Sequence, residues 1–125
     1  MGLKEIGALI DKLVKASPTT YILVDEAYFE YSDLPGFDTA VPYVMQHPQV
    51  IVARTFSKIH AMAGMRAGYA LAQPKTIALM RAYHSNSGMS VMTMAAATSG
   101  SSSWMRIPPL PCDVRSLRGP ESVTW

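Results

Sequence analysis

The sequence predicts an α/β fold organised on a mostly parallel sheet. Three apolar runs read as buried strands: Thr20-Tyr21-Ile22-Leu23-Val24, Val50-Ile51-Val52-Ala53 and Gly68-Tyr69-Ala70-Leu71-Ala72. Segments with helical spacing alternate with them, as in parallel α/β sheets. The first two runs lead directly into polar, chemistry-bearing residues, and ligands of open α/β sheets bind beyond the carboxyl ends of strands.

The chain opens with Leu3, Ile6, Leu9, Ile10, Leu13 and Val14 at three-and-four spacing, a helix over Leu3 to Lys15 with one buried face. Ser17-Pro18 stops it, and the first strand follows, ending at Asp25. Residues 30–39 are polar and carry Pro35-Gly36, so they form a loop. Ala40 to His47 makes a short helix closed by Pro48, and Val50 to Ala53 is the second strand. The third strand is Gly68 to Ala72. Pro74 suits the first turn of a helix that runs to about His84. A polar, glycine-containing break over Ser85 to Ser90 precedes a Met- and Ala-rich helix starting at Val91. After Thr98 the pattern changes. Ser99-Gly100-Ser101-Ser102-Ser103 is linker-like, and the rest, with Pro108, Pro109, Pro111 and Pro120, has neither a strand nor a helix period. The expected organisation is therefore a folded unit over 1–98 and an irregular Ser/Pro-rich tail over 99–125.

Two stretches concentrate the candidate chemistry. The first runs from Arg54 to Arg66, beyond the second strand. Thr55 and Ser57 can donate to an anion, and Arg66 offers a planar fork suited to phosphate. Gly64 and Gly68 flank Arg66 and allow a tight turn there. Lys58 lies among these groups between Phe56 and Ile59, surroundings that favour a nucleophilic amine. Phosphate ligands beside such an amine suggest a phosphorylated carbonyl cofactor held as a Schiff base, with pyridoxal phosphate the leading candidate. The second stretch is Asp25-Glu26-Ala27-Tyr28. An aspartate ending a buried strand needs a partner, and a pyridinium nitrogen is one. Tyr28 can reach a phenolic oxygen of the same ring. Structural readings stand beside these. Lys58 serves equally as a loop lysine, Asp25 as a turn cap, Tyr28 as a core residue, and Arg66 as a salt-bridge partner of Asp25 or Glu26.

Together, Val24-Asp25-Glu26-Ala27-Tyr28, Arg54-Thr55-Phe56-Ser57-Lys58 and Ala63-Gly64-Met65-Arg66-Ala67-Gly68-Tyr69 resemble the fold-type I pyridoxal-phosphate aminotransferases, class I/II, histidinol-phosphate aminotransferase-like branch. The resemblance covers residues 1–98. It implies a partial three-layer α/β/α sandwich from the large cofactor-binding domain. It also implies roles: Asp25 at the pyridine nitrogen, Tyr28 at the phenolic oxygen, Lys58 as the Schiff-base lysine, and Ser57 and Arg66, with Thr55, at the phosphate. The implied reaction is amino transfer from an amino acid to a 2-oxo acid, in a homodimeric enzyme acting in amino-acid metabolism. Such enzymes are about three times longer, so this chain reads as an internal segment, inactive in isolation. The alternatives are a non-catalytic fragment that keeps the fold and a related pyridoxal-phosphate decarboxylase or lyase.

Composition narrows the remaining classes. The 125 residues carry a net charge of +2, too weak to argue for nucleic acid or an acidic membrane. No run reaches the roughly 20 apolar residues of a membrane span. The N-terminus lacks the form of a signal peptide, and Gly2 does not open a myristoylation motif. The expected location is therefore cytoplasmic. The single Cys112 forms no internal disulfide and no cysteine zinc site, and His47, His60 and His84 show no metal-ligand spacing. The nine methionines read as core filler. Three strands with an open edge on each side predict a tendency to aggregate.

Overall fold

A computed structural model describes residues 2–83, 90–103 and 123–124. Helix α1 (Leu3–Ala16) leads to strand β1 (Ile22–Asp25). A 3-10 turn (Phe29–Tyr31) and helix α2 (Val41–Gln46) connect it to β2 (Val50–Thr55). A second 3-10 turn (Ala63–Met65) precedes β3 (Gly68–Leu71), followed by α3 (Pro74–Ala82), α4 (Val91–Ser103) and the two-residue β4 (Val123–Thr124).

The strands lie in the order β1-β2-β3-β4. β1 and β2 are parallel, with Asp25 opposite Ala53. β2 and β3 are antiparallel, with Thr55 opposite Gly68, and β3 and β4 are antiparallel too. The sheet is thus mixed, which corrects the expected mostly parallel one. The reason is the connection. β1 and β2 are joined through α2, a helical crossover, whereas the chain between Thr55 and Gly68 folds into a short loop that returns the strand antiparallel.

One face of the sheet is covered by α1 and α2. Ile10, Ala40, Val44, Val50 and Val52 form the buried core, with Ile6, Val14, Ile22, Val24, Val41, Tyr43 and Leu71 packed around it. Full burial of a side chain such as Ile10 or Val50 is worth about 1.5–3 kcal/mol. The inward stripe of α1 is narrower than its apolar spacing: Ile6, Ile10 and Val14 face the core, while Leu9 and Leu13 stay largely exposed. Gly7 lies under the Tyr43 ring, where a Cβ would overlap the phenol. At the start of α1, Gly2 N–H donates to the Glu5 carboxylate at 2.8 Å, half of a capping box. On the opposite face of β1, Leu23 is 63% exposed, so the third layer of the sandwich is incomplete.

The loop expected around Pro35-Gly36 is a tight turn. Gly36 has φ +77°, and Phe37 N–H donates to Leu34 O at 3.0 Å. Helix α3 is anchored at its start, where Thr76 Oγ1 donates to Pro48 O at 2.6 Å and Gln73 Nε2 to Val44 O at 3.0 Å. The expected end of that helix, His84, lies outside the described residues, as does the 85–89 part of the predicted break. Residues 99–103, read above as linker, are the last turns of α4. Adding residues to an existing helix is cheap compared with starting one, so the Met/Ala run carries the small polar residues along. Val123 and Thr124, within the tail read as irregular, pair with Ala70 and Tyr69 and cover part of the outer edge of β3. The remainder, 104–122 including Cys112, lies outside the described residues. β1 forms the other edge, and no strand among the described residues pairs beyond it. No helix among them is long and apolar enough to cross a membrane.

Candidate active site

The parallel pairing of β1 and β2 brings both chemistry-bearing stretches to one end of the sheet. β1 delivers Asp25 to Tyr28 there, and β2 delivers Thr55 to Lys58. Lys58 and Tyr28 meet there: Lys58 Nζ lies 4.7 Å from the Tyr28 ring centroid, a cation–π contact. Both residues are exposed, Tyr28 at 62%. Asp25 is exposed as well, and its Oδ1 accepts the Ala27 N–H at 3.0 Å. A cavity of about 390 Å³ opens beside this end of β1, lined among others by Asp25, Tyr28, Val24, Ile6 and Phe37. Lys58, Ser57 and Arg66 do not line it.

Strand alternation corrects the argument from burial. Val24 points inward, Asp25 outward and Glu26 inward again. The carboxylate that must find a partner is therefore Glu26, which is 7% exposed. Its partner is Arg54, which the β1–β2 register places across from it. Arg54 Nε and Nη2 donate to Glu26 Oε2 at 2.9 and 2.8 Å. Ala40 N–H donates to Oε1 at 2.6 Å, and the Thr39 hydroxyl reaches both oxygens at 3.0 and 3.1 Å. The Arg54 guanidinium also lies over the Phe29 ring, 4.5 Å from its centroid. Burial pulls its proton affinity down, but the hydrogen bond and charge of Glu26, with a smaller part from Tyr69, hold it above the ordinary arginine value. The sequence reading named Arg66 as the alternative salt-bridge partner of Asp25 or Glu26 and overlooked Arg54. The signal that would have found it is opposite charges at the ends of neighbouring buried strands.

The loop after β2 is held by its own backbone. Phe56 N–H donates to Ala67 O, Ala61 N–H to Lys58 O and Met62 N–H to Phe56 O. The Thr55 hydroxyl accepts the Ser57 N–H at 3.0 Å and donates to Ala67 O at 3.3 Å. Its one proton is thereby committed to the loop, so Thr55 shapes the turn that presents Ser57 and is not placed to donate to an anion. Phe56 is buried and packs on His60 and Tyr69, with ring centroids 5.6 Å away in each case. The apolar walls expected around Lys58 therefore do not enclose it. Phe56 turns inward, Ile59 is 45% exposed, and Tyr28 is the aromatic neighbour.

Arg66 is exposed, and its Nη1 donates to Ala63 O at 3.1 Å. Its backbone is left-handed, φ +53°, as is that of Ala61, φ +52°. Residues held in that region cost about 1–2 kcal/mol each and gather at binding sites. The tight turning expected of the glycines is thus made by Ala61 and Arg66. Gly68 serves a different need, because a Cβ there would meet Arg54 O at 2.8 Å across the strand pair. From α4, Thr93 Oγ1 donates to Met65 O at 2.8 Å and fixes the residue beside Arg66.

The described residues contain no cluster of His, Cys, Asp or Glu able to hold a metal ion. For a pyridoxal phosphate the residues fit in kind: an exposed carboxylate, a phenol touching an amine, and an arginine held in a turn at the same end of the sheet.

Comparison with known proteins identifies the family. The profile of the family described as Aminotransferase class I and II matches residues 3–106, running past the Thr98 boundary that the sequence pattern suggested. A histidinol-phosphate aminotransferase of Anaeromyxobacter sp. is 50% identical over 58 residues, 46% of this chain and 16% of that protein. Histidinol-phosphate aminotransferase 2 of Thiobacillus denitrificans is 46% identical over 68 residues, 54% of this chain and 18% of that protein. The corresponding protein of Symbiobacterium thermophilum is 41% identical over 85 residues, 68% of this chain and 22% of that protein. Among solved structures, one from Erwinia carotovora atroseptica, provisionally designated a histidinol-phosphate aminotransferase, superposes with a TM-score of 0.67 at 38% identity. That superposition covers 78% of this chain and 29% of the other. The chain spans about a fifth of the length of the curated relatives it matches.

Proposed function

The chain belongs to the class I and II aminotransferase family, and on that premise we propose that it is a segment of a pyridoxal-phosphate-dependent enzyme that moves an amino group from an amino acid to a 2-oxo acid. The observation that carries the proposal is the meeting of Lys58 with Tyr28 at the shared end of two parallel strands. Family membership alone does not demand that contact in an isolated segment. We assign 1–98 to a partial cofactor-binding large domain, which α4 extends to Ser103.

Bound pyridoxal phosphate supplies an electron sink for the substrate carbon. The chain's own groups do the rest. The Lys58 amine would hold the cofactor through its aldehyde group and would serve as the base for the proton at the substrate α-carbon. The Asp25 carboxylate would face the pyridine nitrogen and favour its protonated form, and the Tyr28 hydroxyl would donate to the phenolic oxygen. Ser57 and Arg66 would bind the phosphate, and Thr55 holds the loop that carries them. The complete enzyme is proposed to be a cytoplasmic homodimer.

With Lys58, Tyr28 and Asp25 all exposed, this segment on its own positions a substrate poorly, and positioning supplies a large part of catalysis. That exposure favours a second reading for the isolated chain, a weak cofactor binder without transfer activity. One titration tests the assignment: absorbance of the purified chain with pyridoxal phosphate, beside Lys58→Ala. The expected result is a band at the edge of the visible that is absent in the variant. Identical spectra for the two proteins would remove the site.

A further inference from the structure

We propose that Glu26 and Arg54 act as a positioning pair that sets the Lys58 amine against Tyr28, a role separate from that of the groups that touch the cofactor. The proposal rests on the cofactor reading of Lys58.

The geometry carries it. Tyr28 is bracketed in sequence by Glu26, two residues before it, and Phe29, one after it, and both side chains are fastened to Arg54. Glu26 Oε2 takes two of its nitrogens at 2.8 and 2.9 Å, and the Phe29 ring lies 4.5 Å from its guanidinium carbon. Arg54 in turn is the penultimate residue of β2, and the next residue, Thr55, starts the hydrogen bonds that shape the Lys58 loop. The pair therefore ties the stretch that carries Tyr28 to the strand that feeds the Lys58 loop. A third arm comes from the entry to α2: the Thr39 hydroxyl accepts from Arg54 Nη2 at 2.9 Å and donates to Glu26, and Ala40 N–H closes the carboxylate. Glu26 N–H also donates to Ala53 O at 2.9 Å, extending the β1–β2 ladder one residue past Asp25. Glu26 is buried, Arg54 and Thr39 are half-buried, and the carboxylate is saturated, so the Glu26 carboxylate is not available to a ligand. Its effect on the site is to fix the separation of the two stretches that are.

The test uses site selectivity, not turnover. The full 125-residue chain is treated with limiting pyridoxal phosphate, reduced with borohydride and peptide-mapped, comparing label at Lys58 with label at Lys4, Lys12, Lys15 and Lys75. Wild type is expected to concentrate label on Lys58. Glu26→Gln and Arg54→Lys, still melting cooperatively by circular dichroism, are expected to lower the Lys58 preference about tenfold, the scale at which small misplacements act. Val52→Ala loosens the core without touching the pair and is expected to keep the preference. Thr39→Val, which leaves the ion pair in place, is expected to give a smaller drop. The proposal is overturned if the pair variants keep the wild-type preference, or if Val52→Ala loses as much as they do. If the two pair variants do not fold, Thr39→Val against Val52→Ala decides by the same ratio. A wild-type chain with no preference for Lys58 instead overturns the cofactor reading.

Discussion

Two clusters stand side by side at the carboxyl ends of β1 and β2, and they are built in opposite ways. The Glu26–Arg54 cluster is buried, and its carboxylate accepts from a guanidinium, a hydroxyl and a backbone amide. The neighbouring rim of Asp25, Tyr28, Lys58 and Arg66 is exposed. Side chains that hold the fold find their partners within the chain, and the side chains proposed to carry chemistry face outward. The segment thus contains a finished scaffold under an open site. The two kinds of residue alternate along β1 one by one, so a shift of a single position in register would exchange them.

Stability measurements sharpen this contrast most. Glu26→Ala leaves the Arg54 guanidinium buried without its counter-ion and should lower unfolding free energy in urea by about 3–5 kcal/mol. The adjacent Asp25→Ala should change it by no more than about 0.5 kcal/mol, because Asp25 is exposed. Equal losses at the two positions would break the comparison. Thr39→Val should cost about 1–3 kcal/mol by stripping a hydroxyl from a part-buried network. Lys58→Ala gives up an exposed cation–π contact worth about 0.5–1 kcal/mol, so its melting curve should stay close to wild type while its label by pyridoxal phosphate disappears.

The smallest expected effect is with pH. Arg54 has a raised proton affinity in the folded chain, so the unfolded chain releases that proton first as pH rises. The stability it contributes is fully present below the ordinary arginine value and is lost only in strong alkali, as pH climbs through the raised one. Melting temperatures followed from neutral to mildly alkaline pH should show no step traceable to Arg54. A step absent from Arg54→Met would contradict the assigned pairing.

Much of this was legible in the sequence because it depends on local pattern. The strand runs ending near Asp25 and before Lys58, the break at Pro35-Gly36 and the amphipathic first helix each follow from periodicity or turn chemistry, though only Ile6, Ile10 and Val14 of that helix's apolar face turn inward. Strand direction did not follow, since Gly68 to Leu71 has the same apolar pattern whether it runs up or down the sheet. The Arg54–Glu26 pair was missed because it is set by inter-strand register, twenty-eight residues apart in the chain. The Thr55 assignment changed for a similar reason: one hydroxyl proton can serve the loop or a ligand, and the fold decides. The helical continuation through Ser103 was hidden by composition, serine being a common linker residue as well as a tolerated passenger at a helix end.

The two sides of the sheet also differ, and this gives the molecule a direction. Val123 and Thr124 sit on the outer side of β3, whereas the outer backbone of β1 has no strand beside it among the described residues. Among the described residues the β3 edge is covered at Tyr69 and Ala70, while that of β1 is uncovered along its length. A strand added there would run alongside Ile22–Asp25, and one of its ends would come to rest next to Asp25. A strand in that place would extend the sheet and shield the Asp25 carboxylate at once, so burial of the edge and burial of that side chain would be expected to share one transition.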